Sequence, residues 1–128
     1  MKKKEKIRIL CVDDDQDLSA MLDLYKKQDV PLETIGTVDN LDKAFETITI
    51  ELPDIVVLDL SVPGSDPVET IQRIGVRFPE IRVIVYSSED DQTLIARAIK
   101  AGATKHVHKD SGFKPLLDAI YEAVQVEA

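Results

Sequence analysis

The segment DIVVLDLSVPG, residues 54–64, most constrains how this chain can fold. Four consecutive apolar residues, 55–58, precede Asp59, and a turn through Pro63 and Gly64 follows. An unbroken apolar run is typical of a parallel strand covered on both faces, which accommodates a charge only where it leaves the core. Asp59 is therefore expected at the carboxyl end of a buried strand. That edge of an open α/β sheet is where ligands bind, although Asp before such a turn is equally typical of a turn cap.

Four further segments also read as strands. They are Ile7–Val12, Leu32–Val38, 82–86 and Lys105–His108, in addition to the strand at 55–59. Segments with apolar residues at helical spacing separate them, and a last one covers 115–126. Strands that alternate with helices predict right-handed βαβ units and a parallel sheet. We therefore predict an α/β fold: a doubly wound five-stranded parallel sheet with helices on both faces.

The helical segments carry recognisable ends and inner faces. Asp39 or Asn40 is expected to cap the second helix and Asp66, before Pro67, the third, while Gly102 closes the fourth. The first helix is expected to end near the break at 28–31. The apolar residues assigned to inner faces are Leu18, Met21, Leu22 and Tyr25 in the first helix, Leu41, Ala44, Phe45 and Ile48 in the second, Val68, Ile71 and Ile74 in the third, Leu94, Ile95, Ala98 and Ile99 in the fourth, and Leu116, Leu117, Ile120 and Val124 in the fifth.

Length and charge limit the classes of function. A chain of 128 residues is long enough for one domain with a substantial core, and we expect a single domain over 1–128. A net charge of −8 argues against binding to nucleic acid or to anionic membranes. The sequence has neither an apolar run of membrane-spanning length nor a signal-peptide pattern, so a cytoplasmic location is expected. Cys11 lies in an apolar run and is expected to be a small buried hydrophobe.

Polar residues follow four of the predicted strands. If the strand order is 2-1-3-4-5, then Asp13, Asp14, Asp59, Ser87 and Lys109 converge on the carboxyl edge of the sheet, where the winding direction reverses. Three neighbouring carboxylates repel one another unless a cation neutralises them. Oxygen ligands in a small open site favour Mg²⁺, with Mn²⁺ as a substitute. Such a site, with a spare lysine and a hydroxyl, suits a phosphoryl group.

The motifs at this edge resemble those of the receiver domain of two-component response regulators. The matching motifs are VDD at 12–14, VVLDLSVPG at 56–64, VIVYSS at 83–88 and GATKHVHKD at 102–110. The resemblance covers essentially the whole chain. It implies a flavodoxin-like fold with strand order 2-1-3-4-5.

The resemblance also implies a function as a phosphorylation switch. Asp59 would be the phosphoacceptor, taking a phosphoryl group from a sensor histidine kinase or a histidine phosphotransfer protein. Asp14 and Asp59 would bind Mg²⁺ directly, together with the backbone carbonyl of Ser61, while Asp13 would act mainly through water. Lys109 would pair with the phosphoryl oxygens.

Further positions follow from the same resemblance. Ser87 would turn toward the phosphoryl group, and the residue at His106 would change its exposure in response, altering this face for partner binding or dimerisation. The family usually has Tyr or Phe at that position, whereas imidazole also titrates near neutral pH. Ser61 and Glu89 occupy positions at which the family tunes the lifetime of the phosphoryl group. Lys109 is followed by Asp110 where many receivers have proline, a variant found in receivers joined to helix-turn-helix output domains.

Two alternatives remain at the level of sequence. One is a receiver-like interaction domain that works without phosphorylation. The other is a small magnesium-dependent phosphatase, because Asp13 and Asp15 also form a DxD motif; Asp15 itself reads as a helix cap or a helper of the metal site. In the leading interpretation the chain is not an enzyme with a free substrate. We expect no output domain within these residues, which would form either a stand-alone receiver or part of a longer regulator.

Overall fold

The structure is a computed structural model that describes residues 6–25 and 31–125. In this part of the chain five strands alternate with five α-helices. The strands are β1 (Ile7–Val12), β2 (Leu32–Val38), β3 (Ile55–Leu58), β4 (Arg82–Ser87) and β5 (Lys105–His108). The helices are α1 (Leu18–Tyr25), α2 (Leu41–Glu51), α3 (Pro67–Arg77), α4 (Gln92–Ala101) and α5 (Lys114–Gln125), and a 3-10 turn, Lys109–Ser111, follows β5.

The five strands form one parallel sheet in the order β2-β1-β3-β4-β5, which confirms the predicted fold class and strand order. The winding direction reverses between β1 and β3, where Val12 pairs with Leu58. Ligand crevices in doubly wound sheets open at this reversal. The residues that follow β1 and β3 therefore emerge side by side.

Apolar side chains cover both faces of the sheet. One face includes Ile9, Val57 and Ile84 and packs on α1 and α5, for example through Leu22 and Ile120. The opposite face packs on α2, α3 and α4, with residues such as Leu10, Val56, Val85, Leu41 and Ile71. The predicted assignment of Cys11 to the core is confirmed, and its burial raises the pKa of the thiol to about 12. Because helices cover both faces of the central strands, charged side chains are accommodated at the ends of these strands and not along them.

Side-chain caps fix the starts of three helices. Asn40 accepts hydrogen bonds from the backbone of α2, and Asp66 does the same for α3, with Pro67 as its first residue. Both caps agree with the sequence prediction. Asp91 caps α4, and Gly102, at φ 134°, ends it.

Some local predictions were wrong. Ile99 is 41% exposed because the inner face of α4 runs through Ala98, and the next residue along a helix is rotated by about 100°. Tyr25 is 58% exposed, although its ring lies 5.7 Å from that of Phe113. β3 ends at Leu58, one residue earlier than predicted, and β4 continues to Ser87.

Other predicted boundaries lie outside the described residues. These are the end of the first helix near 28–31 and the last residue of the fifth, Val126. Within the described ranges, no helix combines the length and the apolar character needed to cross a membrane.

Candidate functional site

Two carboxylates and one ammonium group meet at the carboxyl edge of the sheet. Asp13 directly follows β1, and its backbone N–H donates to Val38 O at 2.9 Å. Asp59 directly follows β3, and its backbone N–H donates to Val12 O at 2.9 Å. The backbone hydrogen bonds of the sheet thus extend one residue beyond each strand, and they fix the backbone positions of Asp13 and Asp59. Lys109 arrives from the end of β5.

Lys109 bridges the two buried acids. Its Nζ lies 2.9 Å from Asp13 Oδ2, 3.1 Å from Asp13 Oδ1 and 2.9 Å from Asp59 Oδ2. The side chains of Asp13 and Asp59 are only 1% and 3% exposed. Buried charges require a partner, and one ammonium here serves two carboxylates. Partial burial alone would lower the pKa of Lys109, but the hydrogen bonds and charges of Asp13 and Asp59 raise it. The side chain of Lys109 is therefore protonated at neutral pH.

The second oxygen of Asp59 is held by the loop that follows β3. Asp59 Oδ1 accepts hydrogen bonds from the backbone N–H of Ser61 at 3.0 Å and from its hydroxyl at 2.9 Å. Burial alone would raise the pKa of Asp59, but the hydrogen bonds from Ser61 and Lys109 and the charge of Lys109 outweigh it. The net result is a lowered pKa. Asp59 is therefore a carboxylate at neutral pH.

Asp13 has the opposite balance. Burial raises its pKa, and the nearby charge of Asp59 adds to this effect. A hydrogen bond from the backbone N–H of Asp15 and the contact with Lys109 offset the increase only in part. The folded protein therefore carries Asp13 in its charged form at a cost, which a further cation would reduce.

Three carboxylates at this edge are close enough to share a metal ion. Asp13, Asp14 and Asp59 each offer an oxygen within 4.8 Å of the other two, with Asp14 exposed and the others buried. An all-oxygen set that is open on one side fits a small hard cation such as Mg²⁺, which keeps several waters when it binds. The unfavourable charging of Asp13 is consistent with this fit. Asp15 accepts a hydrogen bond from the backbone N–H of Asp17, in the turn that precedes α1.

Ser87 and its loop lie beside this centre, at the end of β4. Ser87 is 1% exposed, and its hydroxyl accepts a hydrogen bond from the backbone N–H of Glu89 at 3.1 Å. The carboxylate of Glu89 in turn accepts from the backbone N–H groups of Asp90 and Asp91. In this structure Glu89 thus shapes the loop that leads into α4.

His106 lies on β5 opposite Val85 of β4. It is partly buried, and its Nε2 finds no hydrogen-bond partner in the described part of the chain. Burial lowers the pKa of His106, and the neighbouring His108, at 6.2 Å between ring centroids, lowers it further. The ring is therefore neutral at pH 7.

Two residues near the centre were missed in the sequence. Tyr86 lies on β4 beneath the lysine, whose Nζ is 5.6 Å from the ring centroid. His108 contacts Asp90, in the loop after β4, and Asp110, in the 3-10 turn after β5. In the sequence Tyr86 is one of several apolar residues of the fourth predicted strand. Nothing near it in the chain indicates a contact with Lys109. The contact between His108 and Asp90 joins residues 18 positions apart and has no signature in the chain.

Comparison with known proteins agrees with this geometry. The family model for the response regulator receiver domain matches residues 9–121. Sporulation initiation phosphotransferase F of Bacillus subtilis is 30% identical over 114 residues, a match that covers 88% of this chain and 90% of that protein. The signal receiver domain of the putative response regulator NarL from Mycobacterium tuberculosis superposes with a TM-score of 0.83 at 25% identity, covering 95% of this chain and 98% of that one.

Several other relatives are longer proteins. The transcriptional regulatory protein DegU of Brevibacillus brevis is 26% identical over 125 residues, which is 98% of this chain and 51% of that protein. The chain thus spans about half the length of such curated relatives. The predicted resemblance is confirmed: the chain belongs to the family of response regulator receiver domains of two-component systems.

Proposed function

We propose that this chain is a phosphorylation-dependent switch whose phosphoacceptor is Asp59. The observation that carries the proposal is the arrangement around this carboxylate: Lys109 on one oxygen, Ser61 on the other, and two further acids beside it. This arrangement keeps Asp59 charged, and so nucleophilic, while a lysine is ready for the phosphoryl oxygens. The name of one relative, a phosphotransferase, supports the same chemistry.

In the proposed reaction an oxygen of Asp59 attacks the phosphorus of a phosphohistidine on a histidine kinase or a phosphotransfer protein. The new O–P bond forms as the P–N bond breaks, and the electron pair of that bond returns to the imidazole. Lys109 then exchanges its contact with Asp59 for one with a phosphoryl oxygen. Later attack by water on phosphorus would release inorganic phosphate and restore the carboxylate.

Mg²⁺ forms part of the proposal, with Mn²⁺ as a substitute. Asp14, Asp59 and the backbone carbonyl of Ser61 would bind it directly and Asp13 through water, and when bound it would supply positive charge to the phosphoryl oxygens. The chain's own contribution is to hold these ligands in place. Ser61 keeps Asp59 in one orientation, and the backbone of Asp15 does so for Asp13.

The consequence of phosphorylation is a change of partner. Ser87 would move toward the phosphoryl group, give up its contact with Glu89, and alter the face around His106 for a downstream protein, an output domain or a second copy. Glu89 and Ser61 would tune the lifetime of the phosphoryl group. We further propose that this region forms a single receiver domain, that it acts in the cytoplasm without binding nucleic acid itself, and that it turns over no free substrate.

The test is intact mass after incubation with Mg²⁺ and acetyl phosphate, comparing the wild type with Asp59→Asn. We expect a gain of one phosphoryl group that disappears in the variant and when EDTA removes Mg²⁺. Asp66→Asn is a matched control, since Asn caps a helix as well as Asp does and this residue lies in the same loop. It should be phosphorylated like the wild type.

Other outcomes would favour the alternatives. No adduct with the donor intact would support an interaction domain that works without phosphorylation. Repeated consumption of the donor without an adduct would support a small magnesium-dependent phosphatase. An adduct that persists in Asp59→Asn would assign the phosphoacceptor to another residue.

A further inference from the structure

His108 joins the loop after β4 to the 3-10 turn after β5. Its Nδ1 accepts a hydrogen bond from the backbone N–H of Asp110 at 3.0 Å, so this nitrogen carries no proton. The other ring nitrogen, Nε2, therefore donates a hydrogen bond to Asp90 Oδ1 at 2.8 Å. Asp90 belongs to the loop after β4, and Asp110 to the 3-10 turn after β5. One ring thus connects two segments that are remote in the sequence.

The first of these loops leads to Ser87. Glu89 donates its backbone N–H to the Ser87 hydroxyl at 3.1 Å, and its carboxylate accepts from the backbone N–H of Asp90 at 3.1 Å. The same carboxylate accepts from Asp91, which caps α4. A displacement of Asp90 therefore moves the segment that carries the hydroxyl and the start of α4.

The second segment leads to Lys109. The 3-10 turn begins at Lys109, and the His108 ring caps this turn. The Lys109 ammonium reaches Asp13 and Asp59 from that position. The direction of the lysine stem is set by the backbone of the turn, so the His108 ring lies one residue from the group that contacts the phosphoacceptor.

We propose that the hydrogen bond between His108 Nε2 and Asp90, here called the His108 latch, makes His108 a positioning residue for phosphoryl transfer. It holds the turn of Lys109 against the loop of Ser87, so that the ammonium stays on Asp59 before the donor arrives. Its loss leaves both loops free to move independently, and the ammonium then contacts the phosphoacceptor for a smaller fraction of the time. This inference rests on the proposed function for its kinetic part, whereas the contact itself does not.

Two pairs of variants separate the latch from the local cap. His108→Gln places an amide N–H near the position of Nε2 and keeps a donor for Asp90, whereas His108→Asn keeps an acceptor near Nδ1 for Asp110 but does not reach Asp90. Asp90→Asn retains the acceptor oxygen, and Asp90→Ala removes it. Glu80→Ala, at the opposite end of β4, is a control for the loss of one exposed carboxylate.

The first measurement is the rate of phosphoryl transfer from acetyl phosphate with Mg²⁺, in which the P–O bond to acetate breaks and acetate leaves with the electron pair. We expect His108→Asn and Asp90→Ala to slow phosphorylation of Asp59 by about three- to tenfold, the factor that corresponds to one ordinary hydrogen bond. His108→Gln, Asp90→Asn and Glu80→Ala should retain the wild-type rate within about twofold. The double variant His108→Asn with Asp90→Ala should be no slower than either single variant.

The second measurement is independent of phosphorylation. In two-dimensional amide NMR spectra of the unphosphorylated protein, Asp90→Ala should shift the resonances of Lys109 and Asp110, and His108→Asn those of Glu89 and Asp90.

If His108→Asn is phosphorylated at the wild-type rate while His108→Gln is slow, the ring is only a local cap and the latch is overturned. It is also overturned if the cross-loop shifts are absent. If the shifts appear but wild-type Asp59 takes no phosphoryl group, the latch stands and the proposed function fails.

Discussion

Asp13 and Asp59 share one lysine, yet their pKa values shift in opposite directions. The difference comes from their second partners. Asp59 receives two hydrogen bonds from Ser61 on the oxygen that Lys109 leaves free, while Asp13 receives one from Asp15, which does not outweigh its burial and the charge of Asp59. At neutral pH one carboxylate therefore stabilises the fold and its neighbour costs stability.

We expect Asp13→Asn to stabilise the protein in the absence of divalent cations. The folded pKa of Asp13 is raised above 3.8, so charging it disfavours the folded state at any pH above that range. Removing the charge should increase the free energy of unfolding at pH 7 by about 0.5–2 kcal/mol. The gain should shrink as the pH falls from the raised pKa to below 3.8, where Asp13 is protonated in both states. Urea unfolding in EDTA at pH 7 and pH 3.5 measures it; a destabilised variant at pH 7 would contradict the argument.

His106 also makes the free energy of unfolding depend on pH, in this case through a base whose charged form is disfavoured in the folded state. Its folded pKa lies below 6.5 because burial and His108 disfavour the imidazolium. Above pH 6.5 the ring is neutral in both states and contributes nothing to the pH dependence. As the pH falls through 6.5 toward the folded pKa, the unfolded state takes up the proton first, and stability is lost.

His106→Phe should remove this loss. The free energy of unfolding of the wild type, minus that of the variant, should fall by about 0.5 kcal/mol between pH 8 and pH 5, since solvent screens a partly exposed ring. Urea unfolding of both proteins across this range gives the difference, in which contributions from groups that do not interact with His106 cancel. A difference that is constant with pH would show that the environment of His106 does not disfavour its charge.

Among the structural elements, the loop between β3 and α3 depends on a close approach at Gly64. Its φ is +119°, and a Cβ atom there would lie 2.9 Å from the backbone N of Leu41 and 3.2 Å from its Cβ. The neighbouring Pro63 carbonyl accepts the N–H of Leu41 at 2.9 Å. The loop that carries Ser61 is thus docked on the start of α2, and no side chain fits between them.

Gly64→Ala should therefore be more damaging than a glycine substitution that meets only backbone strain. Gly112, at φ +96°, has nothing within 4 Å of an added Cβ and provides the matched control. We expect a loss of about 3 kcal/mol in the free energy of unfolding for Gly64→Ala and about 1–2 kcal/mol for Gly112→Ala. Thermal or urea unfolding compares them. Equal losses would mean that the contact with Leu41 yields at little cost.

The elements also show what the sequence could predict. The buried strands were found because a run such as 55–58 is covered on both faces and ends where a charge emerges, and Asp66 was found because its cap is a local hydrogen bond. Ile99 was misplaced because helical spacing alone does not say where the centre of the inner face lies. The 3-10 turn after β5 was missed because its cap is the imidazole of His108, whereas the usual capping side chains are those of Ser, Thr, Asp and Asn.

At the scale of the whole molecule, the site is a product of strand order. Asp13 and Asp59 are neighbours because β1 and β3 are adjacent at the reversal of winding, and the order itself was inferred from family resemblance. Lys109 enters from β5, with β4 in between, and its ammonium passes above Tyr86 to reach Asp13, 96 residues away in sequence. A shorter side chain at the end of β5 would not span this distance. Such non-local pairing leaves no local pattern in the chain.

The excess of negative charge should make the stability of the whole domain depend on Mg²⁺. The chain has a net charge of −8, and three of its carboxylates lie within 4.8 Å at one edge. An ion that binds the folded state alone raises the free energy of unfolding by about 2.7 kcal/mol at a hundred times its Kd. We expect MgCl₂ to raise the midpoint of thermal unfolding, and the rise should continue with the logarithm of the MgCl₂ concentration above Kd. NaCl at equal ionic strength should raise it less, since it only screens repulsion among exposed charges.

Asp14→Asn should respond to MgCl₂ as to NaCl, because Asp14 is exposed and its loss removes a ligand without disturbing the core. If NaCl reproduces the whole effect, the acids at this edge bind no specific ion, and the charge they concentrate must be balanced by Lys109 alone.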